Sequence, residues 1–300
     1  MAIDLSVPDV KKTDFGPNHC LIDGDIIHYQ AASVGDAVSY HWEGHEPTKY
    51  KKDALAYGAI HSLDPDKLIK VITPEPIANV LHTVKVMIHS IMEACEAGEA
   101  TIYLTGKGNY REQIDSIAPY KGHRPTEKPT HFAAVKEYLL KRFDAVLVEG
   151  KEADDAMGIA QMSEYRATLA SMKFDLATDI KTTRTVICST DKDLKMIPGW
   201  HYNFQKQEKF WVARDEADHW FYQQLLMGDS TDNIKGISGI GPKGAAKLLE
   251  GCTDNLERYT VCRTRYTKAG QDDYDLLENA NLLWIQREEN KYWTPPTNAS

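Results

Sequence analysis

Nine acidic residues fall into four short groups: Asp23 and Asp25; Glu152, Asp154 and Asp155; Asp191 and Asp193; Asp229 and Asp232. The first group follows the apolar run Cys20-Leu21-Ile22, and the third follows Thr185–Cys188. The second opens a helical stretch just after Ala145–Val148. Apolar runs that stop at acids read as buried strands delivering carboxylates to one edge of a sheet, where open α/β sheets bind ligands. So many anions stay ionised together only when a cation compensates them. An all-oxygen donor set suits hard divalent ions, with Mg²⁺ or Mn²⁺ the expected identity. Each group alone has a plainer use: acids complement the dipole of a first helical turn, shape polar turns, or cap helices. Their joint placement after strands is what favours metal chemistry.

A second constellation is Gly236-Ile237-Ser238-Gly239-Ile240-Gly241-Pro242-Lys243-Gly244-Ala245-Ala246-Lys247. Small turns with isoleucines between glycines are the pattern of a helix–hairpin–helix, in which Gly239 and Gly241 let a phosphate approach backbone N–H groups. No acid occurs between Asn233 and Leu249, while Lys235, Lys243 and Lys247 supply positive charge. Such a module grips phosphates without reading sequence. The alternative is a glycine-rich connection with no ligand. A third stretch, Pro119-Tyr120-Lys121-Gly122-His123-Arg124-Pro125, with Lys107 and Arg111 upstream, places an aromatic ring beside cations. That combination suits a base stacked on Tyr120 with phosphate held nearby, and equally a solvated basic loop.

The elements that must position these groups alternate. Strand-like runs at Cys20–Ile22, Thr101–Leu104, Ala145–Val148 and Thr185–Cys188 are separated by helical patterns at Pro76–Ala97, His131–Phe143 and about Ala153–Arg166. This order predicts an α/β fold with a mostly parallel sheet flanked by helices. Beyond about Asp215 the pattern is helical and polar, ending in residues 295–300 as a frayed tail. Ser33–Thr73 is polar with no clean period. The 300 residues are 42% hydrophobic and 26% charged, the balance of a globular protein. The net charge of −9 opposes binding nucleic acid through bulk positive charge, but setting the nine grouped acids aside leaves a neutral remainder with local basic patches. Five cysteines, with no C-x-x-C pair, read as reduced thiols of a cytoplasmic protein. The opening MAIDLSVPDVKK lacks the basic-then-apolar order of an export signal, and no run approaches a membrane span.

The motifs LIDGD, YKGHR, EADD, STDKD and MGDSTDNIKGISGIGPKGA, in this order, resemble the 5′-nuclease superfamily: flap endonucleases, the 5′-nuclease domains of bacterial DNA polymerases, and bacteriophage 5′–3′ exonucleases. The length is most similar to the phage branch. The resemblance implies a PIN-like core over 18–210 with a helical arch at about 105–130, and a helical DNA-binding region over 211–300 with its helix–hairpin–helix at about 228–250. It implies that Asp23, Glu152, Asp154, Asp155, Asp191, Asp193, Asp229 and Asp232 hold two divalent ions. Lys121 and Arg124 are then the catalytic cations on the scissile phosphate, with Tyr120 stacked on a terminal base. A monovalent cation such as K⁺ would sit at the helix–hairpin–helix. The activity implied is 5′–3′ exonuclease with 5′-flap endonuclease activity, acting in a (host) cytoplasm as a monomer on DNA with a 5′ end or flap, or on an RNA–DNA hybrid, with no membrane partner. One position departs: after Ile102-Tyr103-Leu104-Thr105, where the family has aspartate, stands Gly106. Asp25, two residues from Asp23, is expected to compensate through period-2 alternation. The rival readings are a PIN-type ribonuclease, against which Gly236–Lys247 speaks, and a non-catalytic structure-selective DNA-binding protein, which Gly106 favours.

Overall fold

The computed structural model describes residues 18–114, 118–124, 127–174 and 180–297. Its strands are β1 His19–Asp23, β2 Asp36–His41, β3 Ile69–Pro74, β4 Glu99–Thr105, β5 Val146–Val148, β6 Thr185–Cys188, β7 Gly199–Asn203, β8 Glu208–Val212, β9 Gly228–Asp229 and β10 Ile234–Lys235. Its helices are α1 Gly24–Val34, α2 Lys51–Ile60, α3 Ile77–Ala94, α4 Phe132–Arg142, α5 Ala153–Ser171, α6 Arg214–Met227, α7 Pro242–Leu249, α8 Asn255–Lys268 and α9 Asp273–Leu283.

Six strands form one sheet in the order β5-β4-β1-β6-β7-β8. All neighbours run parallel except β7 and β8, which pair antiparallel. The mostly parallel sheet is therefore as expected. The hairpin that adds β8 as an antiparallel edge was hidden, because Trp200, His201, Tyr202, Phe210 and Trp211 mix aromatic and polar character without clean alternation. β1 is the middle of the arrangement: the chain leaves it toward β4 on one side and β6 on the other, so its carboxyl end faces a topological switch point. Its residues Cys20, Leu21 and Ile22 are buried on both faces, as a central parallel strand requires.

The chain divides into two units, neither of which ends at residue 210. Among the described residues, one comprises 18–24, Ser90–Arg124 and those from Asp144 onward. It contains the six-stranded sheet and a continuous core in which Leu21 and Ile187 of the sheet, Met157, Met162 and Tyr165 of α5, Phe221 and Leu225 of α6, Tyr266 of α8 and Leu276 of α9 belong to one cluster. That shared core is why the expected boundary at 210/211 does not separate the C-terminal helices from the sheet.

The second unit is Asp25–His89 with residues 125–143. It gives order to the stretch that showed no period: β2 and β3 pair antiparallel, Asp36 opposite Pro74 through His41 opposite Ile69. Between them lies α2, where Gly58 accommodates Trp42; a Cβ there would come within 2.4 Å of the indole. The indole N–H donates to the Asp64 carbonyl at 2.9 Å. His28 of α1 stacks on Phe132 of α4 with ring centroids 3.7 Å apart.

Candidate active site

Asp23 closes β1 and is buried. The next residue must be glycine, because a Cβ at Gly24 would approach the Tyr103 carbonyl oxygen of β4 to 2.4 Å. Ser189, directly after β6, donates its hydroxyl to Asp23 Oδ2 at 2.7 Å and accepts the Asp191 N–H at 3.0 Å. Asp191 Oδ1 in turn accepts the Asp193 N–H at 2.8 Å. The acids following β1 and β6 are thus tied to one another through a serine that the sequence did not single out. The start of α5 is fixed to the end of β4, since the Ala153 N–H donates to Thr105 Oγ1 at 2.9 Å. This sets Glu152 and Asp154 at the same sheet edge. Asp229 accepts from Lys192 Nζ at 2.8 Å and from the Thr231 N–H at 2.6 Å.

The charges of these groups overlap. Burial, and then the charges of Asp23, Asp191 and Glu152, push the Asp154 carboxyl well above the usual carboxylate range. Burial with Asp191 and Asp229 raises Asp193 to about 7, although the Gln224 amide donates to it. Glu152 and Asp229 go the other way. Burial works against their ionisation, but Arg111 and Lys121 outweigh it at Glu152, and Lys192 with the Thr231 N–H outweighs it at Asp229. Carboxylates from four chain segments therefore lie close enough to raise one another's ionisation, and at Asp154 and Asp193 the nearby cations do not offset this. Asp23, Asp154, Asp191 and Asp193, with Glu152, Asp229 and Asp232 beside them, offer only oxygen donors, the set hard divalent cations prefer.

The basic turn lies inside this cluster. Lys121 adopts a left-handed backbone (φ 55°), and its N–H donates to the Asp232 carbonyl at 2.9 Å. Its ammonium stands 2.5 Å from Glu152 Oε1 and 3.6 Å from Asp232 Oδ2. Arg124 Nη2 pairs with Asp232 Oδ1 at 2.6 Å. Tyr120, expected to present its ring to a base, is packed against the core, with its hydroxyl 3.0 Å from both Glu152 and Asp232. Burial and the two acids push its ionisation far up, so it serves as a donor.

Three expectations are corrected. Asp155 is not turned to the cluster. It is fully buried, and Arg111 grips it with Nη1 at 2.6 Å and Nη2 at 2.9 Å. Its remaining lone pairs accept the N–H groups of Glu152 (3.1 Å) and Gln286 (2.9 Å). It caps and anchors α5, the plainer use of an acid in a first helical turn, and a cation there would have to displace Arg111. Arg111 is accordingly no part of a solvated basic loop: it is buried, and its other donors reach the Leu282 and Trp284 carbonyls. Asp25 lies in the first turn of α1, not on β1, so helical geometry replaces the alternation that would have aimed it like Asp23. The arch is the third. Among the described residues of 105–130 there is only a 3₁₀ turn, Tyr110–Gln113, and no α-helix. Gly106, Gly108, Pro119 and Gly122 break any helical run there, and residues 115–117 and 125–126 lie outside the described residues.

Gly106 is crowded. A Cβ at this position would meet both the Val148 carbonyl oxygen and Glu149 Oε1 at 2.6 Å. Glu149 is held in that space by the Lys107 N–H, which donates to its Oε2 at 2.8 Å.

The glycine-rich stretch joins α6 to α7. β9 and β10 pair briefly, with Gly228 opposite Lys235. Gly228 and Gly236 cross so closely that a Cβ at Gly236 would lie 2.2 Å from the Gly228 nitrogen. Gly239 turns with φ 80°, and Gly241 is the N-cap of α7. Lys235, Lys243 and Lys247 are exposed, the last two one turn apart on α7.

No family model matches the chain. DNA polymerase I of Thermus aquaticus is 28% identical over 236 residues, covering 74% of this chain and 26% of that protein. DNA polymerase I of Rhizobium leguminosarum is 34% identical over 164 residues, covering 49% and 15%. The chain thus spans about a quarter or less of the length of these relatives. Among solved structures, a mutant of the bacteriophage T5 5′-exonuclease superposes with a TM-score of 0.51 at 15% identity, covering 89% of this chain and 87% of the other. The fold is that of a phage 5′-exonuclease. The T5 D15 flap endonuclease, solved as a pseudo-enzyme–product complex with DNA and metal ions, gives the same TM-score at 17% identity, covering 89% and 88%. Within this 5′-nuclease fold the acids that close β1, follow β6 and open α5 are the ones the sequence singled out. Ser189, Lys192 and Gln224, which hold them, went unnoticed; only Lys192, lying between two aspartates, carried a signal.

Proposed function

We propose that the protein is a divalent-metal-dependent 5′–3′ exonuclease with 5′-flap endonuclease activity on DNA. The observation that carries this reading is the convergence of incompletely neutralised carboxylates with Lys121 and Arg124 at the carboxyl edge of the sheet. The likeness to T5 5′-exonuclease in fold, and to part of DNA polymerase I in sequence, supports it. Asp23, Asp154, Asp191, Asp193, Glu152, Asp229 and Asp232 would hold two ions, Mg²⁺ or Mn²⁺. Bound there, such ions supply Lewis acidity and an activated water for in-line phosphodiester hydrolysis.

The chain's own residues do the rest. Ser189 fixes the rotamer of Asp23, and Gln224 that of Asp193. Lys121 and Arg124, which here pair with Glu152 and Asp232, would neutralise charge on the scissile phosphate. Tyr120, packed against the core, donates its hydroxyl to Glu152 and Asp232 and so positions both acids. Lys235, Lys243 and Lys247, with backbone N–H groups near Gly239 and Gly241, grip the duplex phosphates, with a monovalent cation such as K⁺ beside the turn. The 211–300 region thus carries the DNA-binding role although it shares the catalytic unit's core. The substrate is a duplex with a 5′ end or flap, or an RNA–DNA hybrid, met by a monomer in the (host) cytoplasm.

Gly106 favours one other reading, a structure-selective DNA-binding protein that does not cut. Incubating the protein with a 5′-labelled flap and a blunt duplex, with Mg²⁺ or with chelator, separates the two. Mg²⁺-dependent release of short 5′ products is expected; duplex binding without cleavage at any divalent-ion concentration would overturn the enzyme reading.

A further inference from the structure

The strands that end in acids carry another set of ligating side chains, which the nuclease reading does not use. Cys20 of β1, Cys188 of β6 and Cys95, the residue that follows α3, meet in the interior, each 0% exposed. One sulfur from each lies within 4.8 Å of the other two, and Cys95 Sγ is 3.8 Å from Cys188 Sγ. Strand register explains two of the three. Cys20 lies opposite Val186 and Ile22 opposite Cys188, so the cysteines sit two positions apart on one face of adjacent parallel strands. Cys95 is brought in by the end of α3, its N–H donating to the Ile91 carbonyl at 3.0 Å.

The spacing is informative. Three thiolates around one ion at about 2.3 Å place the sulfurs about 4 Å apart. Closing onto an ion therefore needs a contraction of under about 1 Å. A Cys95–Cys188 disulfide needs these sulfurs at about 2.05 Å and leaves Cys20 out. Among the described residues no histidine, carboxylate or further cysteine completes a fourth corner. That argues against Zn²⁺, which in structural sites takes four ligands, and against hard ions, which avoid sulfur. It suits a soft ion content with three thiolates. Hydrogen bonds from Cys188 and Cys20 hold the Cys95 thiol low, whereas Cys95 and burial push the Cys20 thiol up and burial pushes Cys188 up, so one proton leaves readily and the other two leave only as an ion binds.

We propose that Cys20, Cys95 and Cys188 form a buried three-thiolate site for a soft metal ion of the copper(I) class. Each thiol that ligates gives its proton to solvent. An ion bound there would join β1, β6 and the α3–β4 junction behind the strand ends that present Asp23 and Asp191. The site is independent of whether the protein cuts DNA.

The test uses the full chain, kept reduced and anaerobic, with excess Mg²⁺ to occupy the carboxylates. Cadmium(II) is titrated as the spectroscopic probe, both into native protein and during refolding, because a fully buried site loads through local opening or folding. The expected result is one thiolate-to-cadmium charge-transfer band per chain and a melting temperature raised by roughly 4 °C at a hundredfold excess over Kd. Stoichiometric copper(I) should bleach that band. Cys95→Ser and Cys188→Ser should lose both band and shift, while Cys252→Ser, away from the trio, keeps them. Cys95→Ala and Cys20→Ala serve as second variants if the serines do not fold, with circular dichroism confirming structure. The proposal is overturned by a band that survives in folded Cys95 variants, by no band under either loading regime, or by cadmium that copper(I) does not displace.

Discussion

Asp154 and Asp155 are neighbours in the first turn of α5, yet their surroundings are opposite. Asp155 points into the core, where Arg111 and two backbone N–H groups satisfy it completely. Asp154 faces Asp23, Asp191 and Glu152 and is driven toward protonation. One region of the molecule brings its own counter-charge and the other lacks enough of it. Where the protein supplies the cation, the acid is architecture. Where it does not, the acid is left to take up a proton or to wait for a cation from outside.

The sharpest way to break this contrast is to remove the internal cation. Arg111→Leu leaves Asp155 buried and unpaired, and should cost about 3–5 kcal/mol in chemical denaturation. Pairing it with Asp155→Leu should recover part of that loss. A single mutant as stable as the parent would deny Asp155 its anchoring role. Asp154→Asn should do the reverse. Relief of repulsion leaves metal-free stability unchanged or higher, while cleavage falls at least about 100-fold at saturating Mg²⁺, beyond the 10–100-fold typical of outer-shell losses. Near-normal turnover in that variant would remove Asp154 from the ligands.

A pH series sharpens the comparison further. Asp193 titrates near 7 in the folded chain against a reference value of 3.8. Between these values the folded state binds the extra proton, so its contribution favours folding at low pH and is lost as pH rises toward and through 7. The slope is at most about 1.4 kcal/mol per pH unit. Melts in chelator should show this decline, Asp193→Asn should flatten it, and Mg²⁺ should oppose it by binding the ionised form. The smallest effect is expected furthest from the acids. Lys243→Ala with Lys247→Ala should leave melting unchanged and reduce the slope of log K against log salt by about 2 for duplex binding, if each lysine neutralises one phosphate. An unchanged slope would take α7 out of the DNA interface.

How much of this was legible depends on whether the signal was local. Strand ends announced themselves, because an apolar run that stops at an acid is a one-dimensional pattern; Asp23, Asp154, Asp191 and Asp193 were readable for that reason. Asp155 was not separable from Asp154, since its partner Arg111 is 44 residues away and Gln286, a second partner, is 131 away. Asp25 was misplaced because Gly24 starts a helix where alternation assumed more strand. The β7–β8 hairpin was missed for want of period, and the β2–α2–β3 unit because its buried positions are few and its faces largely exposed. Cys20, Cys95 and Cys188, spread over 168 positions, gave no spacing to notice.

Gly106 has a consequence for what this corner can accept. With Val148 O and Glu149 Oε1 both 2.6 Å from where a Cβ would stand, aspartate cannot be introduced here alone without pressing one carboxylate onto another and its Cβ onto a backbone carbonyl. Moving Glu149 would relieve one contact and leave the Lys107 N–H seeking another acceptor, while the Val148 carbonyl, a backbone group, would still stand in the way. The glycine is entrenched. A carboxylate at this position therefore asks the end of β5 itself to shift, and substitution at 149 alone does not admit it.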